Sequence, residues 1–240
     1  MTKLDARISF PAALLADPTR EAMVMSLMDG RAYTSKELAY GARVTPQTAS
    51  FHLKKMVDAQ LLLCHCQGRH AYYRIAGPDV AAAVEALVRI APTPGMPRHL
   101  ERQAEPFLFA RRCYDHLAGR LGVAVAEQVA ARDLVALTGI ECRLTERGEG
   151  FLDAMGLQVR DLRTRRRSFL RPCIDCTERK PHLAGALAAA MLDHFTEDGW
   201  VEAGEQPRTL VVTAKGERLF AETFGVVPRQ LRAKEVGPEA

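Results

Sequence analysis

The run Thr45–Ile75, TPQTASFHLKKMVDAQLLLCHCQGRHAYYRI, decides how the first third of the chain folds. Thr45 followed by Pro46 pairs a capping side chain with a proline at the first helical position, where its missing N–H costs nothing, so a helix opens there and runs to about Ala59. Ala49, Leu53, Met56 and Val57 recur as its inward stripe. Gln47, Thr48, Ser50, Phe51, His52, Lys54 and Lys55 occupy the other faces. LLLCHC and AYYRIA read as strands joined by Gln67, Gly68, Arg69 and His70, which predicts a hairpin with a four-residue loop and a basic tip.

Upstream, Asp17 caps a helix that starts at Pro18, carries Met23, Val24, Leu27 and Met28 on one face and stops at Gly30. Thr34 and Glu37 form a capping box for a short helix through Ala39. Downstream, Pro78 to about Ile90 is a last, alanine-rich helix. Three helices, a hairpin and a closing helix make a winged helix-turn-helix, a fold that places one helix in the major groove of DNA.

The charge supports that reading. The net charge of +4 is small, but Arg43–Arg74 holds five basic residues against the single acid Asp58, and Arg160–Lys180 holds eight against three. Positive charge therefore lies in two patches, as expected of a chain that meets a polyanion. The N-terminal MTKLDARISFPAALLADPTR has neither an apolar core nor a cleavage site of the secretory kind, and no run is long enough to span a bilayer. The expected location is cytoplasmic, with no membrane partner. There the six cysteines are expected as free thiols or ligands rather than a disulfide framework.

Ala91–Pro106, APTPGMPRHLERQAEP, carries four prolines and reads as a boundary. The expected division is residues 1–91 for DNA binding and dimerisation, 92–106 as linker, 107–227 as an effector-sensing domain and 228–240 as a flexible tail. In the second part, Leu144–Gly148 with Phe151 and Leu152 echoes Val212–Gly216 with Leu219 and Phe220: each copy is a strand, a threonine cap and a helix. Between them a long helix is expected from His182 to about Glu197, then Trp200, a turn over Gly204–Pro207 and the strand TLVVT. The fold class is mostly α with small β-hairpins: a winged helix-turn-helix followed by an α+β domain resembling a degenerate winged helix.

The words LADPTREAMVMSLM, YTSKELAYGARVTPQTASFHLKKMVDAQLL and GRHAYYRIA, in this order across residues 12–90, resemble the ArsR/SmtB family of bacterial transcription repressors. The resemblance implies that TPQTASFHLKKM is the recognition helix and GRHAYYRI the wing. A subset of longer ArsR-type regulators carries an extension with words similar to RRCYDHLAGRLGV and RPCIDCTERKPHLAGAL. The DNA-reading set expected here is Thr45, Gln47, Thr48, Ser50, His52, Lys54 and Lys55, with Arg69 and His70 at the wing tip. Gln47 can pair with adenine, Thr48 and Ser50 can touch bases or phosphates, and the lysines and arginine anchor the backbone. A single winged domain reads a half-site, so a homodimer on double-stranded DNA is expected, with ISFPAALLA and the helix bearing Val84, Leu87 and Val88 as dimer elements.

The family's metal sensors place cysteines in the helix before the recognition helix, or Asp and His in the last helix. SKELAY has no cysteine and VAAAVEALVRI has no histidine. The remaining thiols have competing readings. Cys64 and Cys66 share one face of a strand, His65 the other, and are expected as buried apolar fillers. Cys113 and His116 stand three apart in a predicted helix, FLFARRCYDHLAGRL, whose apolar stripe places Cys113 in the core. Cys142 sits in a strand. Cys173 and Cys176 have C-x-x-C spacing beside Arg171, Arg179 and Lys180; with His182 they could hold zinc or another soft cation, or form a redox pair, or only fill space. In the related sequences an aromatic residue commonly stands where Cys176 is. The basic stretch Arg163–Arg171 reads as a solvated face, an anion pocket or an extra DNA contact.

The expected function is a homodimeric repressor released from an inverted-repeat operator by a thiophilic metal or small molecule in the C-terminal domain. The alternative is a redox switch at Cys173 and Cys176. No nucleophile, base or cofactor motif suggests an enzyme.

Overall fold

The computed structural model describes residues 8–91, 98–138 and 141–232. They divide into two compact units, Met1–Val84 and Glu85–Ala240. The Pro-rich boundary segment lies later in the chain than this division, and part of it is helical.

In the first unit, α1 (Ser9–Leu15) precedes α2 (Pro18–Leu27), whose N-terminus is capped by Asp17 accepting from the amides of Thr19 and Arg20. The strand β1 (Tyr33–Thr34) leads into α3 (Ser35–Gly41), where the Thr34–Glu37 capping box forms as expected. Then α4 (Pro46–Asp58) starts under the Thr45 cap. Its inward stripe closes the core, with Ala49, Leu53 and Met56 fully buried against Met23, Leu27 and Leu38. The wing is β2 (Leu62–Gln67) against β3 (His70–Ile75), with β1 on the outer side of β3. Gln67 pairs with His70, so the loop is two residues, not four. Gly68 at φ +59° supplies the positive dihedral that a tight turn needs at its first position. The helix α5 (Pro78–Ile90) follows, and the division between units falls inside it.

The second unit adds α6 (Arg98–Phe109) and then the order hairpin, helix, hairpin, helix, twice. The first copy is β4 (Arg111–Cys113), β5 (His116–Ala118), α7 (Gly119–Ala131), β6 (Val135–Leu137), β7 (Cys142–Leu144) and α8 (Glu146–Ala154). A short α9 (Val159–Arg163) leads to the second copy: β8 (Arg171–Ile174), β9 (Pro181–Ala184), α10 (Ala186–Glu197), β10 (Val201–Ala203), β11 (Leu210–Val212) and α11 (Ala214–Phe224), with α12 (Pro228–Leu231) after it. What reads in sequence as one degenerate winged-helix-like unit is thus a duplication.

Its signatures recur at matched places. Thr145 and Thr213 cap α8 and α11, accepting from Gly148 N at 3.0 Å and Gly216 N at 2.9 Å. Gly119 at φ +80° and Gly185 at φ +102° open α7 and α10, and a Cβ on either would come within 2.8 Å of a carbonyl oxygen, of Leu108 and Phe169 respectively. Both positions exclude any other residue without a backbone shift. The core joins the copies through Leu121, Val125, Leu187 and Leu192, with Phe195, Trp200, Phe220 and Phe224 as an aromatic cluster; Phe195 stacks on Trp200 at 4.9 Å.

Two expected helices are corrected here. FLFARRCYDHLAGRL is not one helix: α6 ends at Phe109, and β4 and β5 form a hairpin that turns through Tyr114 and Asp115, with Tyr114 at φ +57°. Its apolar stripe fits a helical period, but strand pairing and the amide of Arg112 donating to Arg208 O at 2.8 Å decide otherwise. Likewise His182 lies in β9, not in the helix, because Gly185 separates strand from helix.

Candidate functional site

The exposed face of α4 carries Gln47, Ser50, Phe51, Lys54 and Lys55, and Thr45 stands exposed at its start. The Thr45 hydroxyl accepts from Thr48 N at 3.2 Å, and Ser50 Oγ donates to Pro46 O at 2.8 Å while lying 3.2 Å from Ser35 Oγ. These hydroxyls are already held by the helix, which fixes their direction. Lys55 Nζ lies 4.2 Å over the Phe51 ring, an aromatic that is 58% exposed. An exposed ring beside two lysines offers a flat apolar surface within a cationic patch. Arg69 and His70 are exposed at the wing tip.

His52 differs from the rest. Only 12% of its side chain is exposed, with Nδ1 3.1 Å from Arg20 Nη1 and 3.9 Å from Asp17 Oδ1. Its ring ties α4 to the start of α2. Arg20 and the amides it follows hold the Asp17 carboxyl below the usual carboxylate range, chiefly through the backbone hydrogen bond from Arg20.

The thiols are placed otherwise than their spacing suggests. Cys64 and Cys66 are exposed on the wing, not buried. Both lie on a strand that beyond Leu62 is open to solvent, so there is no core for them to fill. Cys142 opens β7 and is half-buried, its thiol pushed up to about 11 by burial. Cys173 and Cys176 meet different partners. Arg111 Nη2 lies 3.3 Å from Cys176 Sγ, whereas Cys173 Sγ is buried beside Glu85 Oε2 at 3.5 Å.

The residue that matters between them is Asp175. Its carboxylate, fully buried, receives Arg111 Nη2 at 2.7 and 2.8 Å, the amide of Gly119 at 2.8 Å, and the amides of Thr177 and Glu178 at 2.9 and 3.0 Å. Burial opposes its charge, but the Arg111 guanidinium and these amides outweigh that and hold it far below the usual carboxylate range. It pins the loop of one hairpin to the first strand of the other.

That junction assembles four groups that no single spacing announces. Cys113 pairs directly across the hairpin with His116, and Cys173 with His182. Residues directly opposite on antiparallel strands point to one face. Each hairpin therefore presents a Cys–His pair, and the ligand-type atoms of Cys113, His116, Cys173 and His182 all lie within 4.8 Å of one another. Both rings are 1% exposed and stack at 5.1 Å between centroids. His116 Nδ1 is 3.3 Å from Asp115 Oδ1, an acid that also receives Arg167. Burial disfavours a charged His116, but Asp115 and Cys113 outweigh it and carry the ring up to about 9. Hydrogen bonding to Cys173 and burial push the Cys113 thiol up to about 11. Of the expected trio, His182 and Cys173 belong to this cluster and Cys176 does not. Cys113 and His116 replace it, and the signal that marks them is the repeated word HLAG at residues 116–119 and 182–185, each preceded by C-x-D.

The basic stretch after α9 is mostly committed within its own unit. Arg163 contacts Glu149 at 3.1 Å and covers the Phe169 ring, Arg167 pairs with Asp115, and Arg171 pairs with Glu85 at 2.8 Å. Arg165 and Arg166 remain exposed.

Comparison with known proteins adds identity to this geometry. A helix-turn-helix domain model matches residues 15–65. The chain is 38% identical over 224 residues to the uncharacterized HTH-type transcriptional regulator YdfF of Bacillus subtilis, covering 93% of this chain and 99% of that one. Among solved structures, it is similar to the homodimeric winged helix-turn-helix DNA-binding domain of Mb0332 from Mycobacterium bovis, described as a possible ArsR-family regulator, with 26% identity over 38% of this chain and 88% of that one and a TM-score of 0.32. It is also similar to the cadmium metal-sensor CMTR of Mycobacterium tuberculosis, with 27% identity over 38% of this chain and 99% of that one and a TM-score of 0.30. No helix among the described residues is long and apolar enough to cross a membrane. With its winged first unit and its match along nearly the whole of YdfF, the chain belongs to the HTH-type transcriptional regulators.

Proposed function

We propose that this regulator is a homodimeric repressor whose two α4 helices and wings read an inverted-repeat operator, and that an effector bound in the second unit releases it. The observation that carries the DNA reading is the exposed face of α4, where Gln47, Ser50, Lys54 and Lys55 surround an exposed Phe51. Gln47 near the helix start suits bidentate pairing with adenine, while Thr45, Thr48 and the lysines suit phosphate and sugar contacts. Arg69 and His70 suit the flanking minor groove. His52 joins this set only by leaving Arg20. The dimer reading is supported by exposed apolar side chains at both expected elements: Ile8 and Phe10 at α1, Leu87 and Ile90 on α5. The working compartment is the cytoplasm.

Release requires an effector with different affinities for the DNA-competent and DNA-incompetent states. The two sulfurs of the redox alternative, Cys173 and Cys176, contact different partners, which favours the effector reading over it. Light scattering combined with footprinting tests the reading: a dimer protecting a symmetric site is expected, and a monomer on an asymmetric site would sink it. Replacing Lys54 and Lys55 by alanine should lower the slope of log K against log salt by about 0.9 per lost phosphate contact.

A further inference from the structure

We infer that Cys113, His116, Cys173 and His182 form a tetrahedral site for one thiophilic or borderline divalent cation, with Zn²⁺ as the chemical type. In naming a ligand class this rests on the effector reading above; as a binding site it stands by itself.

The donor set is the first argument. Two thiolates and two imidazoles are the S₂N₂ combination that selects Zn²⁺ and its congeners over the oxygen-seeking Mg²⁺ or Ca²⁺. Two thiolates neutralise the dication, so the loaded centre carries no net charge into a buried place. The second argument is what the rings lack. His116 Nε2 and both ring nitrogens of His182 are buried without a hydrogen-bond partner. Buried polar atoms of this kind are rare and call for an explanation such as an ion. The third is orientation. Asp115 lies 3.3 Å from His116 Nδ1, where it can accept that N–H, so that Nε2, once its proton is lost, is the nitrogen turned to the cation. That is the outer-shell arrangement that aims metal-bound imidazoles.

Distance agrees as well. The four donor atoms lie within 4.8 Å of one another. Bonds of about 2.3 Å to sulfur and about 2.0 Å to nitrogen place tetrahedral donors about 3.3–3.8 Å apart, so small side-chain rotations close the set. Both hairpins are fixed beforehand by Asp175, through Arg111 on β4 and through its own loop. Glu85 completes the surroundings. Its Oε1 lies 3.6 Å from Cys113 Sγ and its Oε2 3.5 Å from Cys173 Sγ, while Arg171 holds the carboxylate at 2.8 Å. The thiols donate to Glu85 when protonated; on metal binding both S–H bonds break, a protonated His116 gives up its Nε2 proton, these protons pass to solvent, and the sulfur and imidazole lone pairs bind the cation. Arg171 then remains as the partner of Glu85.

The test uses the full-length, reduced, chelator-treated protein titrated with Co²⁺ and then Zn²⁺. One Co²⁺ per chain with intense tetrahedral ligand-field bands and a thiolate charge-transfer band is expected, displaced by one equivalent of Zn²⁺. Cys113→Ser and Cys173→Ser should each weaken binding by more than roughly 100-fold, the upper end of what loss of an outer-shell partner costs. Cys176→Ser and the double variant Cys64→Ser/Cys66→Ser should titrate as the parent does. Should the serine variants misfold, alkylation of the unsubstituted protein decides: Zn²⁺ should protect Cys113 and Cys173 and leave Cys64 and Cys66 reactive. Absence of a tetrahedral Co²⁺ spectrum, or loss of it on changing Cys176 or the wing cysteines, would overturn the site. Operator affinity measured with and without Zn²⁺ separates the two claims. A stoichiometric site with unchanged DNA binding keeps the site and removes the metal as effector, whereas absence of operator binding in both states removes the DNA reading and leaves the site intact.

Discussion

The wing hairpin of the first unit and the paired hairpins of the second contain the same residue types and put them to opposite uses. Along β2, Cys64, His65 and Cys66 face solvent, and the hairpin ends in an exposed Arg69 and His70. In the second unit, β4–β5 and β8–β9 turn their Cys–His pairs inward, where His116 and His182 are 1% exposed. A cysteine spacing therefore says little until its strand has a partner across from it and a neighbour over it. C-x-C and C-x-x-C stand out in the sequence, yet the residues brought together are the Cys–His pairs that oppose each other across strands.

The comparison can be broken from the inward side first. Asp175→Ala leaves Arg111 buried without its partner, and a loss of about 3–5 kcal/mol is expected in urea or thermal unfolding of the second unit. A smaller effect, or one equal to that of Arg111→Met/Asp175→Leu together, would mean the junction does not hold the hairpins. On the outward side, Gln47→Ala should cost about 1–3 kcal/mol of operator affinity at one base position and leave unfolding within about 0.5 kcal/mol of the parent. Thr45→Ala stands between the two classes. It removes the cap of α4 and should cost about 1 kcal/mol of stability, with weaker DNA binding following from a frayed helix start. Least of all, Cys64→Ser/Cys66→Ser should change stability by less than about 0.5 kcal/mol; a large change would show that the wing strand is covered in the working protein.

The first unit was legible because its signals are local. Asp17–Pro18, Thr34–Glu37 and Thr45–Pro46 each start a helix within three residues, and all three caps form. The wing departs from that reading twice: its loop is shorter by the paired step Gln67–His70, and Cys64 and Cys66 face solvent because no core lies over their strand. The second unit was legible where it is equally local, at Thr145 and Thr213 and the strands before them. Its hairpins were not, because Phe107, Ala110, Cys113, Leu117 and Leu121 satisfy a helical period by coincidence, and because nothing near Arg111 in sequence announces a partner 64 residues away. The recurrence of C-x-D and HLAG would have exposed both hairpins at once, since a glycine at the same place in each ends a strand and admits a helix.

Duplication within one chain has a consequence that pairing of identical subunits cannot reproduce. In a symmetric dimer any change to one copy is imposed on the other, so both must keep the same loop. Here the first hairpin turns through Tyr114 and Asp115, while the second spends residues 175–180 on its turn and so acquires Cys176, Glu178, Arg179 and Lys180 with no counterparts. One copy can thus stay minimal and rigid while the other gains new side chains at its tip, and the shared frame between them need not change.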